Sequence, residues 1–143
     1  MTFAEKVKKS RLEAGFTQKQ LADEIKVSAR AVRSYESGAL NPRQGTIFLI
    51  AKALKVSIKY LTDEACDDPK EEIEKDEYIV DARKRYGTRG VRDMEALLNE
   101  SAALFAGGEL SQEEKDLYYQ AITKAYLKSR EAAKEKFGKK NNT

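Results

Sequence analysis

Residues that start and stop helices recur at short intervals through the first 62 positions, and they leave room for little except a set of short helices. Phe3, Val7, Leu12 and Ala14 form a first apolar-periodic segment, with Gly15 as its stop. Thr17 can cap a second helix whose apolar face is Leu21, Ala22 and Ile25. Ser28 can cap a third that turns Val32 and Tyr35 inward, and Gly38 ends it. After Asn41-Pro42, the stretch from Gln44 to Leu54 is expected to bury Ile47, Leu49, Ile50, Ala51 and Leu54. Ser57 caps a last short helix with Ile58, Tyr60 and Leu61. No segment alternates with period two, so the spacing predicts an all-α fold that opens with a five-helix bundle. Such a bundle buries only just enough apolar area to fold.

Composition removes several function classes. The chain has no histidine, no tryptophan and a single cysteine, Cys66. An internal disulfide, His-based metal sites and Ser-His-Asp or Cys-His catalytic sets are thereby excluded. No metal, no cofactor and no enzymatic activity is expected. One unpaired thiol suits a reducing cytoplasm. No run approaches the ~18 apolar residues of a membrane span, and the N-terminus lacks an apolar signal core. A cytoplasmic protein without membrane contact is therefore expected.

The net charge of +3 conceals a strong partition. Residues 1–62 carry twelve Lys/Arg and five Asp/Glu, a net of +7, whereas residues 63–77 carry nine acids and two lysines, a net of −7. Residues 78–143 return to +3. The expected division is a basic helical domain over 1–62, an acidic linker over 63–76 and a helical oligomerisation domain over 77–143. The acidic run lacks the spaced oxygen ligands and glycine of a calcium loop, so it reads as a solvated joint. Cys66 within it reads as an inert thiol.

In the tail, Glu71 to Tyr86 is expected as a helix, and Gly87 and Gly90 bracket a turn. Val91, Met94, Leu97, Leu98, Ala102 and Phe105 make an apolar stripe, broken by Gly107-Gly108. Ser111-Gln112-Glu113-Glu114 is a capping-box signal. The helix it starts offers Leu117, Tyr118, Ala121, Ile122, Ala125 and Tyr126. This C-terminal helical hairpin rarely buries enough surface alone, so docking on a second copy is expected. Leu97, Leu98, Phe105, Leu117, Ile122 and Tyr126 are the candidate dimerisation residues.

Residues 18–37, QKQLADEIKVSARAVRSYES, resemble the helix-turn-helix of the Cro and phage-repressor (Xre) family. Leu21, Ile25, Val27, Val32 and Tyr35 fall where that unit packs its helices, and small Ala22 lies at the close crossing. The resemblance runs from Arg11-Leu12-Glu13-Ala14-Gly15 to Val56-Ser57. Lys26 stands at the tight turn, where the family often has glycine; a left-handed lysine costs roughly 1 kcal/mol. The resemblance implies that the helix over Ser28–Ser37 enters the major groove of double-stranded DNA. Ala29, Arg30, Arg33 and Ser34 are then the base-reading candidates, with Arg30 foremost because its fork matches the guanine O6 and N7 acceptors. Gln18, Lys19, Ser28, Asn41 and Arg43 are the backbone-phosphate candidates. Arg11 and Glu36 resemble a family pair that ties the first helix to the recognition helix. Tyr35 is spaced for core packing rather than base stacking.

The function expected from this resemblance is a dimeric, sequence-specific transcriptional repressor of a prophage or mobile element, reading a palindromic operator. The competing reading is an antitoxin or anti-regulator whose tail binds a regulatory protein partner, including a peptidase that cuts near Ala106–Gly108. Self-cleavage is not expected, because the 66 residues over 78–143 read as helices and are too few for a β-rich peptidase domain.

Overall fold

The computed structural model describes residues 1–104, 108 and 110–138, apart from the side chains of residues 102–104, 134, 137 and 138. Every regular element among them is helical: α1 (Phe3–Glu13), α2 (Gln18–Ile25), α3 (Ala29–Ser37), α4 (Gln44–Leu54), α5 (Ile58–Thr62), α6 (Asp76–Leu104) and α7 (Gln112–Gly138), with one 3-10 turn at Ile73–Lys75. The chain forms two compact units, Met1–Asp76 and Glu77–Thr143. No helix among the described residues is long and apolar enough to cross a membrane, and none of them gathers a metal-binding group.

The expected caps act as such. The hydroxyls of Thr17, Ser28 and Ser57 accept from the backbone amides of Gln20, Ala31 and Tyr60, each three residues on. In the first unit α3 packs against α1 and α2, while α4 closes the other side against α2 and α5. Val7, Leu21, Val32 and Ile50 are sealed from solvent at the centre. Three residues of the expected apolar segments lie outside: Leu12 is 59% exposed, Leu49 45%, and Ala14 is exposed at the C-cap of α1. Leu12 is five residues beyond Val7, about 140° around the helix, and cannot share its face. Lys6, Ser10 and Arg11 fill that face instead. In α4 it is Phe48, with Ile50, Ala51 and Leu54, that turns inward.

Lys6, 1% exposed, shows what binds the acidic segment. Its ammonium donates to the carbonyls of Tyr60 (2.8 Å), Asp63 (2.9 Å) and Cys66 (2.8 Å), and stands 4.7 Å from the Tyr60 ring centroid. All three of its N–H groups are thus used, and the charge sits at the C-terminal end of α5, where the helix dipole favours a cation. The segment expected as a solvated joint is therefore packed against the bundle. Ser57 N–H donates to the Pro69 carbonyl at 2.7 Å, and Cys66 is buried, its thiol donating to Glu71 at 3.0 Å. Lys59 pairs with Glu71 at 3.0 Å and with Glu72 at 3.8 Å. Burial pushes the Cys66 thiol up, away from thiolate.

Asp76 completes this segment by accepting from the Ile58 amide at 2.9 Å. Burial raises its carboxyl to about 6 against an ordinary 3.8, despite that hydrogen bond. The folded unit thus holds the Asp76 proton more tightly than the unfolded chain. Its proton-linked contribution is fully present below the ordinary value and is lost as pH rises through about 6. Asp76→Asn keeps the acceptor without the buried charge. It should raise stability above pH 7 by about 1 kcal/mol, a value kept small by partial solvent screening. Urea titrations between pH 4.5 and 8 check this, and an unchanged pH profile in the variant would count against it.

In the second unit α6 is broken at Gly87, whose φ of 68° and ψ of −154° are open to glycine alone. Gly90 does not bracket a loop as expected. It lies inside the next helical run, so tightly that a Cβ there would meet the Ala82 carbonyl oxygen at 2.6 Å. The helix expected from Glu71 begins at Asp76. Ser111 caps α7 as expected, accepting from the Glu114 amide. Within its own unit α7 buries Tyr119 and Thr123, whereas Leu117, Ala121 and Ala125 are exposed. Tyr119 stacks obliquely on Tyr78, Thr123 meets the Met94 sulfur, and the Tyr126 hydroxyl donates to Asp93 at 2.9 Å. Aromatic and hydroxyl groups thus take the inner face, where each finds a partner.

Candidate nucleic-acid interface

The angle between α2 and α3 is set by apolar packing below and a buried ion pair above. Leu21, Ala22 and Ile25 from α2 meet Val32 and Tyr35 from α3, all buried. Lys26 makes the turn between them in the left-handed region, φ 61° and ψ 43°, as its place in the sequence requires. Arg11 then clamps the end of α3. Its Nε and Nη2 donate to the two Glu36 oxygens at 2.7 and 3.0 Å, and Nη1 donates to the Phe16 carbonyl at 2.8 Å. The two side chains are only 9% and 4% exposed. Glu36 Oε1 also accepts from Gln18 at 3.4 Å, which ties the first residue of α2 to the last turn of α3.

With Val32 and Tyr35 fixed inward, helical spacing turns Arg30, Arg33, Ser34 and Ser37 to the opposite face. Arg30 and Arg33 are exposed, and Ala29 and Ser34 half-buried. Ser37 was missed by the sequence reading, although the same spacing reaches it. Its hydroxyl donates to the Ser34 carbonyl and so helps to finish the helix. Ser28 is exposed but already accepts from Ala31, leaving only its O–H to donate elsewhere. Lys19, Asn41 and Arg43 are exposed, Lys19 beside the half-buried Gln18 and the other two on the loop after α3.

The helix starts here are electrostatically suited to anions. No acidic residue lies in the first turn of α2, α3 or α4. The N-cap of α4, Arg43, makes no side-chain capping bond, so the first amides of that helix keep their donors. The whole unit Met1–Asp76 carries fourteen Lys/Arg and thirteen Asp/Glu, so the attraction for phosphate is a local property of this surface and not of the unit's total charge.

The candidate dimerisation residues fare unevenly. Leu98 is 1% exposed inside its own unit, and Tyr126 is half-buried with its hydroxyl held by Asp93. The Leu98 side chain is thus spent within its own unit. Leu97 and Ile122 are half-buried and Leu117 is exposed, while Phe105 lies outside the described residues. The Ala106–Gly107 bond does so as well.

Comparison with known proteins agrees with this geometry. Residues 7–61 match the Helix-turn-helix family. The chain is 26% identical over 127 residues to the SPbeta prophage-derived uncharacterized HTH-type transcriptional regulator YonR of Bacillus subtilis (strain 168), covering 87% of this chain and 96% of that protein. It is 36% identical over 59 residues to the uncharacterized HTH-type transcriptional regulator YqaE of the same organism, covering 41% of this chain and 51% of that protein. No solved structure matches.

Proposed function

We propose that this chain, a DNA-binding transcriptional regulator whose residues 7–61 form an Xre-type helix-turn-helix domain, acts as a dimeric repressor of a prophage or mobile element. The observation that carries the reading is the outward face of α3. Arg30 and Arg33 stand exposed on a helix whose other face is locked by Val32, Tyr35 and the Arg11–Glu36 pair. A rigid helix bearing forked donors is what base readout in the major groove requires. Arg30, Arg33, Ser34 and Ala29 would meet base edges. Gln18, Lys19, Ser28, Asn41 and Arg43 would hold the phosphates on either side.

One such domain reads only about four or five base pairs, so affinity and selectivity call for two copies on a symmetric site. The helical tail would supply the dimer, with Leu117 on the surface that its own packing leaves exposed. The relative that matches along nearly its whole length bears a prophage regulator's name, and this supports the mobile-element reading.

Selection of bound sequences from a random duplex pool tests the proposal. The expected result is a two-fold-symmetric consensus with half-sites about one helical turn apart. A reporter promoter carrying that site should fall in output when the protein is expressed. Enrichment of a single asymmetric half-site, or none, would contradict the dimeric reading. A rise in reporter output would contradict repression.

A further inference from the structure

On the side of α7 turned away from α6, the helix presents Glu114, Leu117, Ala121, Ala125 and Lys128, all exposed. Leu117, at 62%, is the most exposed large apolar side chain among the described residues. The steps between the five are three, four, four and three, so they line one face of the helix. The series also reads the same from either end.

We propose that this face is where two copies of the chain pair, their α7 helices antiparallel about a two-fold axis at Ala121. The inference rests on the dimer proposed above and adds to it the helix, the face and the register. When Ala121 meets Ala121 of the partner subunit, Leu117 falls opposite Ala125 of the partner subunit, and Glu114 opposite Lys128 of the partner subunit. Each of the last two pairings occurs twice, as a two-fold interface demands. The alanines let the backbones approach to about 8 Å, and Leu117 fills the space that Ala125 leaves.

Charge selects this occupant and this direction. Glu113 and Glu114 lie in the first turn of α7, whereas Lys124 lies at its middle and Lys128 beyond it, all four exposed. A parallel pair would set Glu114 against Glu114 and Lys128 against Lys128, juxtaposing like charges. The antiparallel pair sets acid against base at both ends and opposes the helix dipoles favourably.

Two measurements on the full chain test the pairing. In sedimentation, Glu114→Lys or Lys128→Glu alone should weaken the dimer about tenfold, since two attractive pairs become repulsive, and the two together should restore it. For crosslinking, Cys66→Ala removes the native thiol. Ala121→Cys in that background should then oxidise to a covalent dimer by itself. Leu117→Cys and Ala125→Cys chains should crosslink when mixed far more than either does alone. Efficient self-crosslinking of both of those single variants would mean parallel helices and overturn the proposal. A dimer indifferent to charge reversal and not trapped through Ala121→Cys would overturn the register while leaving the dimer standing. A wild-type chain that stays monomeric would overturn both.

Discussion

Glu36→Ala should remove about 3–5 kcal/mol from the stability of the N-terminal unit, because it strands the Arg11 guanidinium in a site almost closed to water. A small domain commonly has only about 5–15 kcal/mol in total, so the variant should be unfolded in part at physiological temperature. Arg11 is held by two donor bonds to Glu36 and a third to the Phe16 carbonyl. Replacing both partners with apolar residues, Arg11→Met with Glu36→Leu, should return most of the loss. That contrast separates the cost of an unpaired charge from the value of the pair itself. Urea denaturation of the three variants reads the difference. A loss under about 1 kcal/mol for Glu36→Ala would place the pair among ordinary surface bridges. The double variant would still lose the bond from Gln18, so its DNA affinity should not recover along with its stability.

Lys6→Met should cost about 2–4 kcal/mol and loosen residues 63–76 selectively. Methionine fills much of the same volume but donates nothing to the carbonyls of Tyr60, Asp63 and Cys66. Buried acceptors left unpaired each carry a desolvation penalty of about 1–3 kcal/mol, relieved in part where water can enter. Amide exchange should quicken first at Cys66, whose N–H donates to Asp63, and at Ser57, whose partner is the Pro69 carbonyl. Uniform acceleration through α1 to α4, with these two amides still protected, would show that Lys6 stabilises the bundle and not the acidic segment.

How far the sequence discloses this structure differs from element to element. The five short helices are legible because their ends are written in local chemistry: Thr17, Ser28 and Ser57 each have an amide to accept from three residues on. The outward face of α3 is legible too, since Val32 and Tyr35 fix its rotation. Lys6 is not, because a lysine counts as solvated until the carbonyls that surround it have been gathered, and two of those follow α5 in the acidic stretch. The acidic segment shows its charge in the sequence but not its carbonyls or the Asp76 cap. In α7 two stripes compete: Tyr119, Thr123 and Tyr126 on one side, Leu117, Ala121 and Ala125 on the other. Periodicity alone marks the second as apolar without saying whether it packs within the unit or on another copy. The partners available on α6, Tyr78, Met94 and Asp93, decide for the first. Leu12 and Leu49 show the same limit at smaller scale, each apolar but a fraction of a turn away from the buried face.

Central to this account is readout of DNA sequence by the exposed face of α3, with Arg30 foremost. The direct test is the affinity of wild type and Arg30→Ala for the selected operator and for each single-base variant of it. At one guanine per half-site, wild type should lose about 1–3 kcal/mol on substitution, or roughly tenfold to a hundredfold in affinity. Arg30→Ala should bind the parent site more weakly by a similar factor and no longer distinguish bases at that position, with discrimination elsewhere intact. Equal affinity and an unchanged base preference in Arg30→Ala would contradict the account.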